Sequence, residues 1–310
     1  MKYISFHAHS LLGLDIQSHV IRLVQLKKTK TSFLVERVVA ETCPDDFFAE
    51  GKIKQWDKLS YFLTAMVLAH QLENQLTVIA LPAHLVRMHS IQIKNSLTEP
   101  EIFSEIHHYI ERDFPGIQEE LCIDFSVFPL QNKPYADLFF IAARKEYVSQ
   151  YIDCIRASGL KVVMVEVDFN AARRVISSSD LIKKEYPHAL IYLANQTATL
   201  LIFDTEKIFF HQNMDVSELR NVVPQLKNQI KICESSYRHL NINQFIICGD
   251  REYIEVIHPH KDELLPFQIG DINPFQRMNF YQPLPLREAS PFLLACGLAM
   301  QKVPKWSALI

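Results

Sequence analysis

Apolar positions along this chain change period several times, and each change marks a predicted element. Leu11-Leu-Gly-Leu-Asp-Ile16, Val20–Leu26 and Ser32–Val39 are short apolar or alternating runs with polar residues between them, which predicts three consecutive strands. Trp56, Leu59, Phe62, Leu63, Met66, Val67 and Leu72 then recur at three- and four-residue spacing, the stripe of a helix over roughly 55–73. Thr77–Leu81 returns to a buried strand, stopped by Pro82.

From Arg87 the pattern changes again. Met88–Ile93 alternates as a strand, and Thr98 and Glu101 have capping-box spacing before a helix striped with Ile102, Ile106, Tyr109 and Ile110. Cys122–Phe128 and Leu138–Ala143 read as strands; Val148, Tyr151, Ile152 and Ile155 form a helix face ended by Gly159, and Lys161–Val167 is a further strand. Residues 87–166 are thus predicted to be a β-α-β-β-α-β insert within a first lobe, 1–184. A second lobe, 185–310, opens with Ala189–Ala194, Thr197–Phe203 and Lys207–Gln212, repeating the three-strand opening of the chain. Leu226, Ile230, Cys233, Tyr237 and Leu240 then stripe a helix whose first turn suits Pro224. Phe245–Cys248 is a strand ending at Gly249, Asp262–Pro285 has no clear period, and Ser290–Met300 returns to helix.

Composition narrows the function classes. A chain of 310 residues, 48% apolar and 22% charged, is globular and long enough for two cores, and a net charge of -3 gives no whole-chain attraction to nucleic acid or anionic membrane. Only seven glycines occur and no two make G-x-G, which excludes the dinucleotide and P-loop phosphate motifs; G-x-S-x-G and H-E-x-x-H are absent as well. The six cysteines are scattered without a C-x-x-C pair, as expected in a reducing cytosol. The opening residues carry too short an apolar stretch for a signal peptide, and the best apolar runs, Tyr61–Ala69 and Pro291–Met300, fall far short of the ~20 residues of a membrane span. Membrane contact is therefore expected only through a partner. His7 with His9, and His258 with His260, bring no further ligands at a recognisable spacing, so no metal site is expected.

Two lobes that each open with three strands, the first carrying an insert, is the organisation of the actin, sugar-kinase and Hsp70 superfamily. Gly13-Leu-Asp-Ile-Gln-Ser-His-Val-Ile-Arg22 and the strand after it resemble the first phosphate motif of the PilM family, actin-like assembly proteins of type IV pili. Val78-Ile-Ala-Leu-Pro82, Ala142-Ala-Arg-Lys-Glu146, Ala157-Ser-Gly-Leu160, Val165-Glu-Val-Asp-Phe169, Asn273-Pro274 and Ala295-Cys-Gly-Leu-Ala-Met300 match that family in order. Short MshI-type pilus proteins look similar. The resemblance implies an α/β, two-lobed actin-like fold built on ribonuclease H-like repeats. It also implies a cytoplasmic adaptor at the inner-membrane face that holds the N-terminal segment of a single-span PilN-like protein and couples it to the pilus motor ATPase. The rival reading is an ATP-binding or ATP-hydrolysing enzyme, and a third is self-assembly into filaments.

The same resemblance places nucleotide between the lobes. The matching positions here are Asp15, Gln17, Ser18, Arg22, Thr197, Thr199 and Gly249, with Arg22 where the family usually has Lys. The family's first Asp-Ile-Gly becomes Asp15-Ile16-Gln17, its second becomes Tyr192-Leu193-Ala194, and its Gly-Gly pair becomes Cys248-Gly249-Asp250. Side chains at these positions obstruct close approach of phosphate, and Asp250 adds negative charge. A vestigial cleft is expected, binding ATP with magnesium weakly at most and without catalysis. For the partner, the resemblance implies a groove between insert and first lobe carrying Arg87, Tyr109, Arg112 and Phe114 as aromatic anchors with rim cations. The alternative for Tyr109 and Phe114 is a place in the core.

Overall fold

A computed structural model describes residues 10–17, 20–49, 52–113, 120–130, 133–179, 187–194, 197–204, 208–216, 218–236, 242, 244–264, 267–270, 272–282 and 289–302. Ser18, Phe114, His7, His9, Tyr237 and Leu240 lie outside the described residues. The chain divides into a larger unit, Met1–Leu81 with Ile152–Ile310, and a smaller one, Pro82–Tyr151.

The larger unit opens with an antiparallel meander of β1 (Ser10–Ile16), β2 (Val20–Lys28) and β3 (Phe33–Thr42), as the short apolar runs predict. A small hairpin of β4 (Phe48–Ala49) and β5 (Lys52–Ile53) precedes α1 (Trp56–Ala69), which buries Leu59, Leu63, Met66 and Val67. The helix stops short of the predicted stripe because Gln71 and Asn74 take φ of 53° and 63°, yet Leu72, in the turn, is still buried. β6 (Leu76–Leu81) runs parallel to β1.

The smaller unit holds β7 (Val86–Lys94), α2 (Glu99–Asp113), β8 (Leu121–Pro129), β9 (Tyr135–Arg144) and the first half of α3 (Lys145–Ala157). Its three strands are ordered β7-β9-β8, and Ile93, Ile102, Ile106, Leu138 and Phe140 form its core. At the start of α2 the Thr98 N–H donates to Glu101 Oε2 at 2.7 Å, the back half of a capping box. The Thr98 hydroxyl donates to the same carboxylate oxygen.

One boundary differs from the expectation. β10 (Lys161–Val167), predicted to close the insert, pairs parallel with β6 in the larger unit. Alternation identifies a strand without naming its neighbour. Here the turn after α3 decides it: Gly159 takes φ +94°, Asn74 N donates to its carbonyl at 2.8 Å, and Lys161 N donates to Gln75 O at 2.9 Å, laying β10 beside β6. The first sheet is therefore β10-β6-β1-β2-β3-β16, where β16 is described below. α4 (Asp168–Ser178), which the periodicity reading missed, follows β10 without a loop and buries Phe169, Ala171, Ala172, Val175 and Ile176.

The second half repeats this plan with β11 (His188–Ala194), β12 (Thr197–Phe203), β13 (Ile208–Asp215), α5 (Val222–Ser236), β14 (Gln244–Gly249) and α6 (Arg251–Ile257). The stretch from Asp262, expected to be irregular, holds the end of a 3-10 segment and two short strands. β15 (Gln268–Ile269) joins the second sheet and β16 (Asn279–Phe280) joins the first. The second sheet is ordered β13-β12-β11-β14-β15, the same sequence of places as β3-β2-β1-β6-β10. Leu200, Ile202, Leu226, Tyr253 and Phe267 lie in its core.

α7 (Leu293–Ala299) packs onto β1 and α4. A Cβ on Gly13 would fall 2.0 Å from the Ala295 carbonyl oxygen, and one on Gly297 would fall 2.2 Å from that of Ala171. These two glycines therefore let backbones meet. Arg174 ties the same corner, with two hydrogen bonds to Glu166 at 2.9 and 2.7 Å and one to Gly297 O at 2.5 Å.

Candidate functional site

The site forms where corresponding ends of the two sheets meet. In the first meander Asp15 lies opposite Arg22, and in the second Tyr192 lies opposite Thr199. The matching registers make Asp15 and Tyr192 equivalent, likewise Arg22 and Thr199. Gln17 N donates to Val20 O at 3.1 Å and closes the first hairpin, while Ala194 and Thr197 stand opposite each other at the second.

The side chains of the first hairpin are joined in series. Arg22 Nη1 donates to Gln17 Oε1 at 2.6 Å, and Gln17 Nε2 donates to Asp15 Oδ2 at 3.0 Å. The same Arg22 nitrogen lies 3.8 Å from Asp15 Oδ2 and 3.8 Å from Asp250 Oδ1. Asp15 and Gln17 are buried, at 5% and 3% exposure, and Arg22 is nearly so. Burial pushes the Asp15 carboxyl up to about 7 against the pull of Arg22, with Asp250 and Asp168 adding to the rise. The buried Tyr192 hydroxyl is held well above its ordinary value by desolvation and by Asp250 and Asp15.

The second sheet contributes differently. The buried Thr199 hydroxyl donates to Asn213 Oδ1 at 3.0 Å, its neighbour across β12 and β13. Thr197, at the strand start, is half-buried. Gly249 has φ +149°, and a Cβ there would fall 2.0 Å from the Leu193 carbonyl oxygen. Asp250 N donates to that carbonyl at 2.8 Å, so the glycine fixes the turn that aims Asp250 at Arg22. Nearby, Phe169 of α4 meets the His211 ring of β13 with centroids 5.1 Å apart, and burial lowers that imidazole to about 4.

Sequence reading brought Asp15, Gln17, Arg22, Thr199 and Gly249 to this region, and the structure places them there with Asp250 and Tyr192. Asp168, Asn213 and His211 were missed. Strand register would have found Asn213 beside Thr199, but nothing local in the sequence marks His211. No group of three or more His, Cys, Asp or Glu among the described residues is arranged to hold a metal.

The proposed partner residues lie in the smaller unit. Tyr109 is half-buried: its hydroxyl is 3.1 Å from His89 Nδ1 and its ring meets Phe140 edge-on at 5.6 Å. The Arg112 guanidinium lies over the same ring, 5.1 Å from its centroid, and is exposed. Arg87 is exposed on β7.

Comparison with known proteins adds the family. The model of the family described as type IV pilus assembly protein PilM matches residues 13–216. Among solved structures, a chain of a PilM-PilN type IV pilus biogenesis complex superposes with a TM-score of 0.79 at 16% identity, covering 94% of this chain and 98% of that one. A Bacteroides thetaiotaomicron protein with an actin-like ATPase fold and unknown function gives 0.51 at 9% identity, covering 97% and 100%. The cytoplasmic domain of EpsL, an inner-membrane component of the Vibrio cholerae type II secretion system, also gives 0.51, at 10% identity, covering 95% and 97%. The fold is the two-lobed actin-like fold expected from the repeat.

Proposed function

This chain belongs to the PilM family of type IV pilus assembly proteins, and we propose that it serves there as a cytoplasmic adaptor and not as an enzyme. The observation that carries this reading is the Arg22 guanidinium, which lies between the first hairpin and Asp250 in the turn after β14 and is bonded inside the protein. Asp15 would have to orient magnesium, yet its carboxyl faces Gln17 and Arg22 and has a raised affinity for protons. Thr199 already donates its hydroxyl proton to Asn213, and the Gln17 side chain fills space that a glycine would leave open. These side chains fit a magnesium nucleotide poorly, and phosphoryl transfer depends on such positioning.

The partner is the N-terminal cytosolic segment of a single-span, PilN-like inner-membrane protein, with the motor ATPase as a further contact. Support comes from the family and from the similarity to the chain of the PilM-PilN complex. The adaptor in this reading reaches the inner membrane through that partner; no helix among the described residues is long and apolar enough to cross a membrane. In this reading Arg87 and Arg112 of the smaller unit are exposed cations that steer the segment, while Tyr109 holds α2 to the sheet beneath it. Calorimetric titration of the chain with Mg-ATP tests the cleft. No heat of binding at low micromolar ligand is expected, whereas tight binding that Asp15→Ala abolishes would return the enzyme reading.

A further inference from the structure

Away from the cleft, the outer edge of the first sheet has its own chemistry. β16 covers β3 only at Leu34 and Val35, where Tyr281 N donates to Val35 O at 2.9 Å. Among the described residues no strand pairs with that side of β3 from Arg37 to Thr42. A bulge separates the covered part from the bare part: Leu26 of β2 opposes Val35, the next residue Gln25 opposes Arg37, and Glu36 is left over. A recess of about 680 Å³ runs along the bare edge, bordered by Arg37, Val39, Glu41, His70 and Tyr281.

Side chains alternate along the edge, so Arg37, Val39 and Glu41 share one face. Glu41 Oε1 on that face is 3.0 Å from His70 Nε2, which holds the carboxylate in place. Phe280, which ends the covering strand, and Tyr281 just after it are 40% and 69% exposed. A bare edge offers a row of backbone donors and acceptors to any strand that fits it.

We propose that this edge is a homotypic docking surface, on which two copies of the chain pair β3 with β3, antiparallel about a two-fold axis at Val39. In that register Arg37 of each copy faces Glu41 of the other, and Val39 faces Val39. Moving the axis to Ala40 sets Val39 against Glu41, and moving it to Val38 drives the incoming strand onto the segment that β16 covers. Opposite charges across an antiparallel pair stabilise it and like charges oppose it, so this edge is complementary to itself in one register. The two-fold axis uses each favourable pair twice. Phe280 and Tyr281 flank the end of the incoming strand and add apolar area.

Sedimentation velocity on the full chain over a series of concentrations tests the proposal. A reversible dimer is expected for the natural sequence. Arg37→Glu and Glu41→Arg each set like charges opposite one another twice, and each should raise the dissociation constant about tenfold or more. The double reversal Arg37→Glu/Glu41→Arg restores opposite charges and should recover the dimer. Circular dichroism of every variant should match that of the natural chain, because both positions are on the surface edge. A chain that stays monomeric up to about 200 µM, even if its edge accepts a strand of another protein, overturns the proposal. So does a dimer indifferent to the single reversals, or one that the double reversal fails to recover.

Discussion

Arg22 Nη1 lies 3.8 Å from Asp250 Oδ1, joining the first hairpin of one sheet to the turn that ends β14 in the other. Two residues that belong to equivalent halves of a duplicated fold thus meet through opposite charges at the place where the family resemblance implies phosphate. Arg22 also lies 3.8 Å from Asp15 and donates to Gln17, so one cation serves three side chains.

Replacing Arg22 should therefore cost stability. Arg22→Met keeps much of the apolar stem but leaves Asp15 buried near Asp168 and Asp250 with its cation gone. A loss of about 2 kcal/mol in urea unfolding is expected. Adding Asp15→Asn removes the stranded carboxyl, so the double variant should lose less than Arg22→Met alone. Losses that simply add would show that the two side chains do not act together.

Two buried groups give opposing pH dependence. The folded-state value of Asp15, about 7, lies above the ordinary carboxyl value of 3.8, so between those limits the folded state holds a proton that the unfolded state has released, and stability falls as pH rises. His211, lowered to about 4 from 6.5, does the reverse: there the unfolded state holds the extra proton, and stability rises with pH. The two slopes cancel over much of pH 4 to 6.5 in the natural chain. Denaturant midpoints should show Asp15→Asn becoming more stable with rising pH across that range, and His211→Phe becoming less stable.

Gly297 sits where α7 crosses α4. A Cβ there would lie 2.2 Å from Ala171 O, and backbone cannot rotate aside as a side chain can. Gly297→Ala should lower stability by about 2–3 kcal/mol, as overpacking does, although alanine is the better helix former. Thermal unfolding measures it, and a neutral effect would mean that the two helices separate readily.

Strands were legible because their runs are short and bounded; the meander of β11, β12 and β13 could be recognised as a repeat of β1, β2 and β3 from apolar spacing alone. β10 was read correctly as a strand, yet its neighbour was not, since pairing with β6 depends on the turn at Gly159 and on Gln75. α4 was hidden because it starts directly at the end of β10, with Asp168 as its first residue and no loop between strand and helix. At the site, Asp15, Gln17 and Arg22 were visible as one motif. Their closure against Asp250 was not, because it joins positions far apart in sequence through the packing of two sheets. The departure of Gln17 from a family glycine was legible, but the hydrogen bonds that the glutamine makes instead could be seen only in three dimensions.

In the smaller unit, Tyr109 and Arg112 should separate packing from recognition. Tyr109→Phe keeps the ring on Phe140 and loses the contact with His89 Nδ1, which should cost about 1 kcal/mol of stability. Arg112→Ala should leave the fold intact and slow association with the partner segment, most at low salt. Stopped-flow binding with a labelled peptide, together with circular dichroism, distinguishes these outcomes.

An adaptor whose cleft is closed by its own side chains should bind the partner segment without needing nucleotide. Isothermal titration of the full chain with a synthetic peptide of the N-terminal segment of its PilN-like partner tests this directly, run with and without Mg-ATP. Saturable binding with the same dissociation constant in both conditions is predicted. Failure to saturate at about 1 mM peptide, or binding that appears only when Mg-ATP is present, would contradict it.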